Sequence, residues 1–136
     1  MANYKQIFMN YMDREGIRYV ETGEFTVRVT YNGDNLKSIP VVVIFDEDGE
    51  AMVQMFCWEI ANFKSKREKG VECCNELNNK YRWIKFYIDK DEDVVATIDA
   101  YIDAETCGRE CVSLVNRVVS IVDGAYPVVM RHLYGN

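Results

Sequence analysis

The sequence predicts an α+β domain in which helices pack on a mostly antiparallel sheet, in the order α-ββββ-α-ββ-α. Three segments carry apolar residues at intervals of three and four, which is typical of amphipathic helices. Six others alternate apolar with polar residues or form short apolar runs, which is typical of strands. The strand segments are separated by short turns, and such turns join antiparallel strands. At 136 residues the chain suits one domain, and we expect residues 1–136 to form it.

The first half of the chain predicts one helix followed by four strands. The helix has a single apolar stripe and ends at Gly16; the stripe is Tyr4, Ile7, Phe8, Tyr11 and Met12. A short strand at 18–21 precedes an alternating strand around Val27 and Val29. Asn32-Gly33 then predicts a tight hairpin, because both residues tolerate positive φ.

The next apolar run is predicted to lie inside the sheet. Residues 41–45 are apolar on both faces, as expected of a central strand. Pro40 cannot donate to a strand ladder, so it should mark the beginning of this strand. The acidic turn at 46–49 leads to a strand at 52–58. It does not fit a calcium-binding loop, because the sixth and twelfth positions hold Ala51 and Cys57.

The second half predicts helix, two strands, helix. A helix should begin near Ser65, since Ser65 and Glu68 fit a capping box. Strands at 83–89 and 94–102 follow. The last helix carries one long apolar stripe, and Pro127 should kink or restart it, because proline removes a backbone hydrogen bond.

Composition and charge narrow the classes of function. The net charge of −6 argues against nucleic-acid binding, and the four basic residues within 64–69 are interrupted by an acid. No segment resembles a membrane span or a signal peptide, so we expect no membrane association and a cytoplasmic location.

No residue pattern predicts a catalytic, metal or cofactor site. The five cysteines are odd in number and lack a C-x-x-C spacing, so buried free thiols are expected. The single histidine, His132, is predicted to lie in the last turn of the final helix, where a histidine interacts favourably with the helix dipole. A second acidic cluster falls at a hairpin tip, where we expect solvated carboxylates and neither catalysis nor metal binding; its members are Asp89, Asp91, Glu92 and Asp93.

One face of the sheet is unusually aromatic. If Val27, Val29, Val53 and Met55 point to the core, the opposite face carries Phe56, Trp58, Trp83, Tyr87, Val95 and Tyr101 among polar and charged neighbours. This composition is that of interface hot spots. Three interpretations stay open: a partner or a second copy binds there, the second and third helices cover the face, or the assignment of faces is shifted by one residue.

Three segments give the chain a family resemblance. Residues 74–78 (CNELN), 83–89 (WIKFYID) and 122–127 (VDGAYP) resemble the paired-asparagine helix, the following strand and the final helix of the YbjN-type domains. These domains share the fold of type III secretion chaperones. The resemblance implies a single YbjN-like domain, a homodimer, a protein- or peptide-binding role and no enzymatic activity.

The leading hypothesis is therefore a non-enzymatic, chaperone-like or regulatory module that binds a protein or peptide and acts as a homodimer. The alternative is a small-molecule-sensing regulatory domain, which requires a closed apolar pocket with converging polar groups. An enzyme ranks third, because the sequence offers no set of titratable residues for a cleft.

Overall fold

The computed structural model describes residues 2–135, and its elements confirm the α+β class and the predicted order. They are α1 (Tyr4–Glu15), β1 (Val20–Glu21), β2 (Thr26–Tyr31), β3 (Ile39–Phe45), β4 (Met52–Cys57), α2 (Arg67–Lys80), β5 (Lys85–Ile88), β6 (Val94–Tyr101) and α3 (Cys107–Tyr134).

The strands form a six-stranded antiparallel sheet in the order β1-β2-β3-β4-β6-β5. The first four strands are neighbours in sequence and in space. The chain then passes through α2 to the far edge, where β5 is formed, and returns as β6 beside β4. As predicted, β3 lies inside the sheet, and Pro40 is its second residue, paired with Thr30.

The helices pack on one face of this sheet. That inner face carries valines and methionine from β2, β3 and β4 that are at most 2% exposed: Val27, Val29, Val43 and Met55. Phe8 of α1, Leu77 of α2 and Val118 of α3 belong to the same buried cluster. The alternate residues of the strands face the other way, which we call the outer face.

α3 is the central helix of the core. By length and composition alone it could cross a membrane, with a mean hydropathy of 1.3 over an 18-residue window; the sequence had not led us to expect such a window. Its stripe is nevertheless buried against α1, α2 and the sheet, with Cys111, Val115, Val122 and Val129 at most 1% exposed. The helix therefore has the burial pattern of a core helix. It is continuous through Pro127.

Two local predictions are wrong. The tight Asn32-Gly33 hairpin does not form: residues 32–38 make a longer loop, and neither residue has positive φ. The capping box at Ser65 is also absent, because α2 begins at Arg67 and its N-cap, Lys66, makes no side-chain capping bond. The segment that leads into α2 is anchored by Phe63, whose side chain is buried. The backbone carbonyl of Phe63 accepts a hydrogen bond from the Lys66 N–H at 2.8 Å.

Several strands are shorter than predicted. β1 begins at Val20 and β5 at Lys85. Trp83 has φ of 76°, which is incompatible with strand geometry, so β5 cannot extend back to it.

The loop at 32–38 folds around a carboxylate from α3. Asp123 Oδ1 accepts hydrogen bonds from the backbone N–H of Asn35 at 2.8 Å and Leu36 at 2.9 Å, and Oδ2 accepts one from Asp34 at 3.1 Å. Gly33 must stay small here, because a Cβ would lie 2.2 Å from Oδ1. The hydrogen bonds, that from Leu36 first, lower the pKa of Asp123 below its usual range.

Pro127 completes the same contact. In a regular helix the N–H of residue 127 would donate to the carbonyl of residue 123, and proline has no N–H. The side-chain amide of Asn35 donates to that Asp123 carbonyl instead, at 3.1 Å. The acidic residue and the proline of the 122–127 segment thus act together to hold the β2–β3 loop on α3.

α2 is joined to the end of α3 through one carboxylate. Glu76 contacts Arg131 at 2.5 Å and His132 Nε2 at 2.9 Å. The hydrogen bond with His132 is the main cause that lowers the pKa of Glu76. His132 is therefore part of a contact between helices as well as lying in the last turn of α3.

The cysteines are free and buried, as predicted. Burial raises the thiol pKa to about 12 for Cys57 and Cys73, and to about 11 for Cys74. The hydrogen bond between Cys107 and Cys111 raises the pKa of Cys111, together with burial, and lowers the pKa of Cys107. The other four thiols all have a raised pKa. Thiols with such pKa values are protonated at neutral pH and are weak nucleophiles.

The free edge of β5 is capped by a side chain. Asn78 on α2 accepts from the Phe86 N–H at 2.8 Å and donates to the Phe86 carbonyl at 3.0 Å, as a neighbouring strand would. The side chain of Asn78 thus bridges nearby backbone, as asparagine side chains commonly do.

We predict that Asp123→Asn lowers the melting temperature by several degrees at neutral pH. The folded-state pKa of Asp123 is depressed, so its stabilisation is present above the unfolded value of about 3.9 and is lost as the pH falls through the folded value. The difference between wild type and variant should therefore shrink below about pH 4. Thermal unfolding followed by circular dichroism measures it.

Asp48→Asn, at an exposed position in the β3–β4 turn, is the matched control. A pH-independent difference between wild type and Asp123→Asn would contradict the role given to the carboxylate.

Candidate functional site

The outer face of the sheet is the candidate site. Strand register places one row of side chains across it from β2 to β5: Arg28, Val42, Phe56, Thr97 and Lys85. The row nearer the β3–β4 turn is Thr26, Ile44, Gln54 and Asp99. Val95 and Tyr87 face each other on the opposite side of the first row. The middle of the face is apolar, and charged side chains lie around it.

An aromatic stack covers the centre of the outer face. Phe56 and Trp58 lie parallel, with ring centroids 4.8 Å apart and an interplanar angle of 10°. Trp58, just beyond the end of β4, stays 42% exposed. Close by, Lys85 Nζ lies 5.5 Å from the centroid of the Tyr87 ring. Val95 is fully buried, although it lies outside the buried cluster that forms the core.

Thr97 has an unusual position within this cover. It is 7% exposed, and its hydroxyl is buried without a hydrogen-bond partner. Its neighbours in the row are Phe56 and Lys85. An unpaired buried hydroxyl costs free energy, so it is a weak point of the face in the isolated chain.

The other aromatic residues predicted for the site lie further out. Tyr101, opposite Met52 at the end of β6, is 86% exposed. Trp83 is 74% exposed, but it lies in the turn before β5 and outside the strand register. The structure thus brings Phe56 and Trp58 to the centre of the face, Tyr87 to the edge strand β5, Tyr101 to one end of β6 and Trp83 to the margin.

Charge is distributed unevenly along the strands. Beyond Asp99, the β3–β4 turn adds Asp46, Glu47 and Asp48 to a groove of about 390 Å³ at one end of the outer face. Arg28 and Lys85 lie one row away from Asp99, toward the other end. The face therefore has an acidic end. Its two basic side chains, Arg28 and Lys85, lie at the two ends of the row that contains Phe56.

The contribution of β3 to the site was missed from the sequence. Val42 and Ile44 of β3 lie on the outer face and are only half-buried. The apolar run of β3 contained this signal, because a strand that is apolar on both faces must present one set of side chains to each. The sequence argument assigned no residue of that run to the candidate site.

The acidic cluster at the β5–β6 hairpin is a capped turn. The carboxylate oxygens of Asp89, Asp91 and Asp93 lie within 4.8 Å of one another. Asp89 Oδ1 accepts from the backbone N–H of Asp91 and Asp93, each at 2.9 Å, and Asn62 donates to Asp93 at 2.9 Å. These bonds are those of an Asx turn.

An interior apolar gap lies between α1, β2 and α3, where Phe8, Met12 and Val115 are among its lining residues. It has no room for a water molecule. This gap is therefore not the closed ligand pocket that the small-molecule alternative requires.

An antiparallel sheet with helices packed on one face defines an α+β protein, and the outer face of this sheet carries aromatic side chains with charged residues around them. A model of the YbjN family, described as "Putative bacterial sensory transduction regulator", matches residues 6–130, so the chain belongs to that family. This confirms the resemblance seen in the sequence.

Two solved structures are similar to the chain. An uncharacterized protein from Methanothermobacter thermautotrophicus is 18% identical, with a TM-score of 0.56 over 95% of this chain and 96% of that one. The type III secretion chaperone SycH of Yersinia pestis, in complex with a stable fragment of YscM2, is 14% identical, with a TM-score of 0.49 over 88% and 99%. The first of these likenesses shows the fold. Comparison with curated proteins finds no match.

We predict that Thr97→Val raises the free energy of unfolding by about 1 kcal/mol, because it replaces an unpaired buried hydroxyl by a methyl group of the same shape. Urea unfolding at low micromolar protein concentration measures this change.

Thr30→Val, at an exposed position on the same face, is the control and should change stability by less than about 0.5 kcal/mol. Destabilisation by Thr97→Val would mean that the hydroxyl has a partner.

Proposed function

We propose that this protein is a non-enzymatic binding module, chaperone-like or regulatory, that binds a protein or peptide on the outer face of its sheet. We further propose that it acts in the cytoplasm as a homodimer. The observation that carries the proposal is the stacked Phe56–Trp58 pair, partly exposed on a face that the protein's own helices leave open.

The composition of the face supports polypeptide binding. Interfaces concentrate their binding energy in a few aromatic or arginine side chains near the centre, surrounded by polar residues that exclude water. Here Phe56 and Trp58 occupy the centre, with Arg28, Lys85 and Asp99 around them. Tyr101 extends the aromatic surface at one end.

The family description supports a regulatory role, since regulators act through binding. The surroundings of several cysteine, histidine and aspartate side chains support a non-enzymatic role. Burial raises the pKa of Cys57 and Cys73 to about 12, so those thiols are not activated. His132 is paired with Glu76 between two helices, and Asp89 caps a turn.

We predict that Trp58→Ala/Tyr101→Ala loses proteins that the wild type captures. Loss of one central aromatic anchor costs about 2 kcal/mol or more in an interface, which corresponds to roughly 30-fold in affinity. The measurement is a pull-down from extract of the source cell with the tagged full chain. Titration calorimetry with the purified captured protein follows.

Tyr134→Ala is the matched control, because Tyr134 is an aromatic residue that is 76% exposed at the end of α3, away from the sheet. It should bind like the wild type. Equal affinity of the double variant and the wild type for the captured protein would sink the proposal.

A further inference from the structure

We propose that the occupant of the outer face is a second copy of this chain, packed sheet against sheet about a two-fold axis that runs across the strands. This inference rests on the proposed function, because it takes the outer face to be an interface, and it names the partner. The argument uses the order of charges along the strands, the apolar centre and the size of the face.

A two-fold interface brings one patch against itself, so each residue must suit its counterpart in the other copy. An axis across the strands reverses the strand direction and leaves the strand order unchanged. We place this axis between the row of Phe56 and the row of Gln54, which are adjacent outward-facing residues of β4. The Phe56 row of each copy then lies over the Gln54 row of its partner.

The charges of the two rows are complementary in this arrangement. Asp99 of one copy lies over Thr97 of the second, next to Lys85, because Thr97 and Lys85 are paired across β6 and β5. The same contact occurs twice, once on each side of the axis. It brings an acceptor to the part of the face where the Thr97 hydroxyl has no partner in the single chain.

The apolar residues are complementary as well. Val42 of one copy lies over Ile44 of the other, since both are outward-facing residues of β3 in the two rows. The row of Trp58 and Val95 approaches the end that holds Met52 and Tyr101. Phe56 of one copy lies over Gln54 of the other, while the aliphatic residues of β3 and the two end rows cover apolar surface with apolar surface. The sheets keep their strands nearly aligned, as in sheet sandwiches.

The size of the face suits a reversible dimer. Six strands spaced about 4.8 Å apart and about six residues long give a projected area of roughly 500 Å² per copy. A standard stable interface buries about 800 Å² on each partner. A face of this size with a few aromatic anchors predicts a dissociation constant in the micromolar range.

The test is sedimentation of the full chain over a series of concentrations that spans the micromolar range. Wild type should pass from monomer to dimer. Asp99→Lys and Lys85→Glu should each weaken the dimer at least about tenfold, because either change brings like charges together twice. An equimolar mixture of the two variants should recover dimers, since opposite charges then face each other at both contacts.

The mixture separates contacts between copies from contacts within one chain. Asp99 and Lys85 are also diagonal neighbours on the same sheet, and mixing leaves each chain's own residues unchanged. Glu72→Lys, at an exposed site on α2, is the charge-matched control and should dimerise like wild type. Circular dichroism confirms that each variant is folded.

A chain that stays monomeric throughout the series overturns the inference, and so does a dimer that neither single variant weakens. Weakening without recovery in the mixture overturns the proposed axis and with it the inference. The proposed function fails separately, when loss of Trp58 and Tyr101 leaves the affinity for the captured protein unchanged.

Discussion

The burial of one face of the sheet beneath α3 determines the position of almost everything else. α3 contacts β3, β4 and β6 as well as both other helices. Because side chains alternate along a strand, each residue packed beneath α3 obliges its neighbours in the strand to point away. The residues of the outer face are therefore oriented by the core, and their aromatic character needs a reason other than core packing.

The class of fold and the faces of the strands could be predicted from the sequence, because both depend on local periodicity. Val27 and Val29 point to the core, and Phe56 and Tyr87 point away, as the alternation indicated. The family followed from three short segments, and its model matches most of the chain. The binding role of the aromatic residues was a hypothesis at that stage and stays a proposal.

The local details that could not be predicted depend on residues far apart in the chain. Asn32-Gly33 has the composition of a tight hairpin, but Asp123, about ninety positions later, holds the loop in a different shape. The same is true of α2, because the preceding residue Phe63 is buried and its N–H donates to the carbonyl of Glu92 at 2.8 Å, and the helix begins at Arg67 instead of near Ser65. In both places a tertiary contact overrides a local preference of moderate strength.

The two edges of the sheet have a consequence for assembly. At one edge β1 has only two residues, and at the other Asn78 occupies both backbone groups of Phe86. Exposed edges are templates on which further chains can add strands, and both devices obstruct such addition. Growth of the sheet into an open-ended fibre is thereby discouraged at either side. Association through the broad face, as proposed above, would in contrast end once that face is occupied, and the resulting assembly would be of limited size.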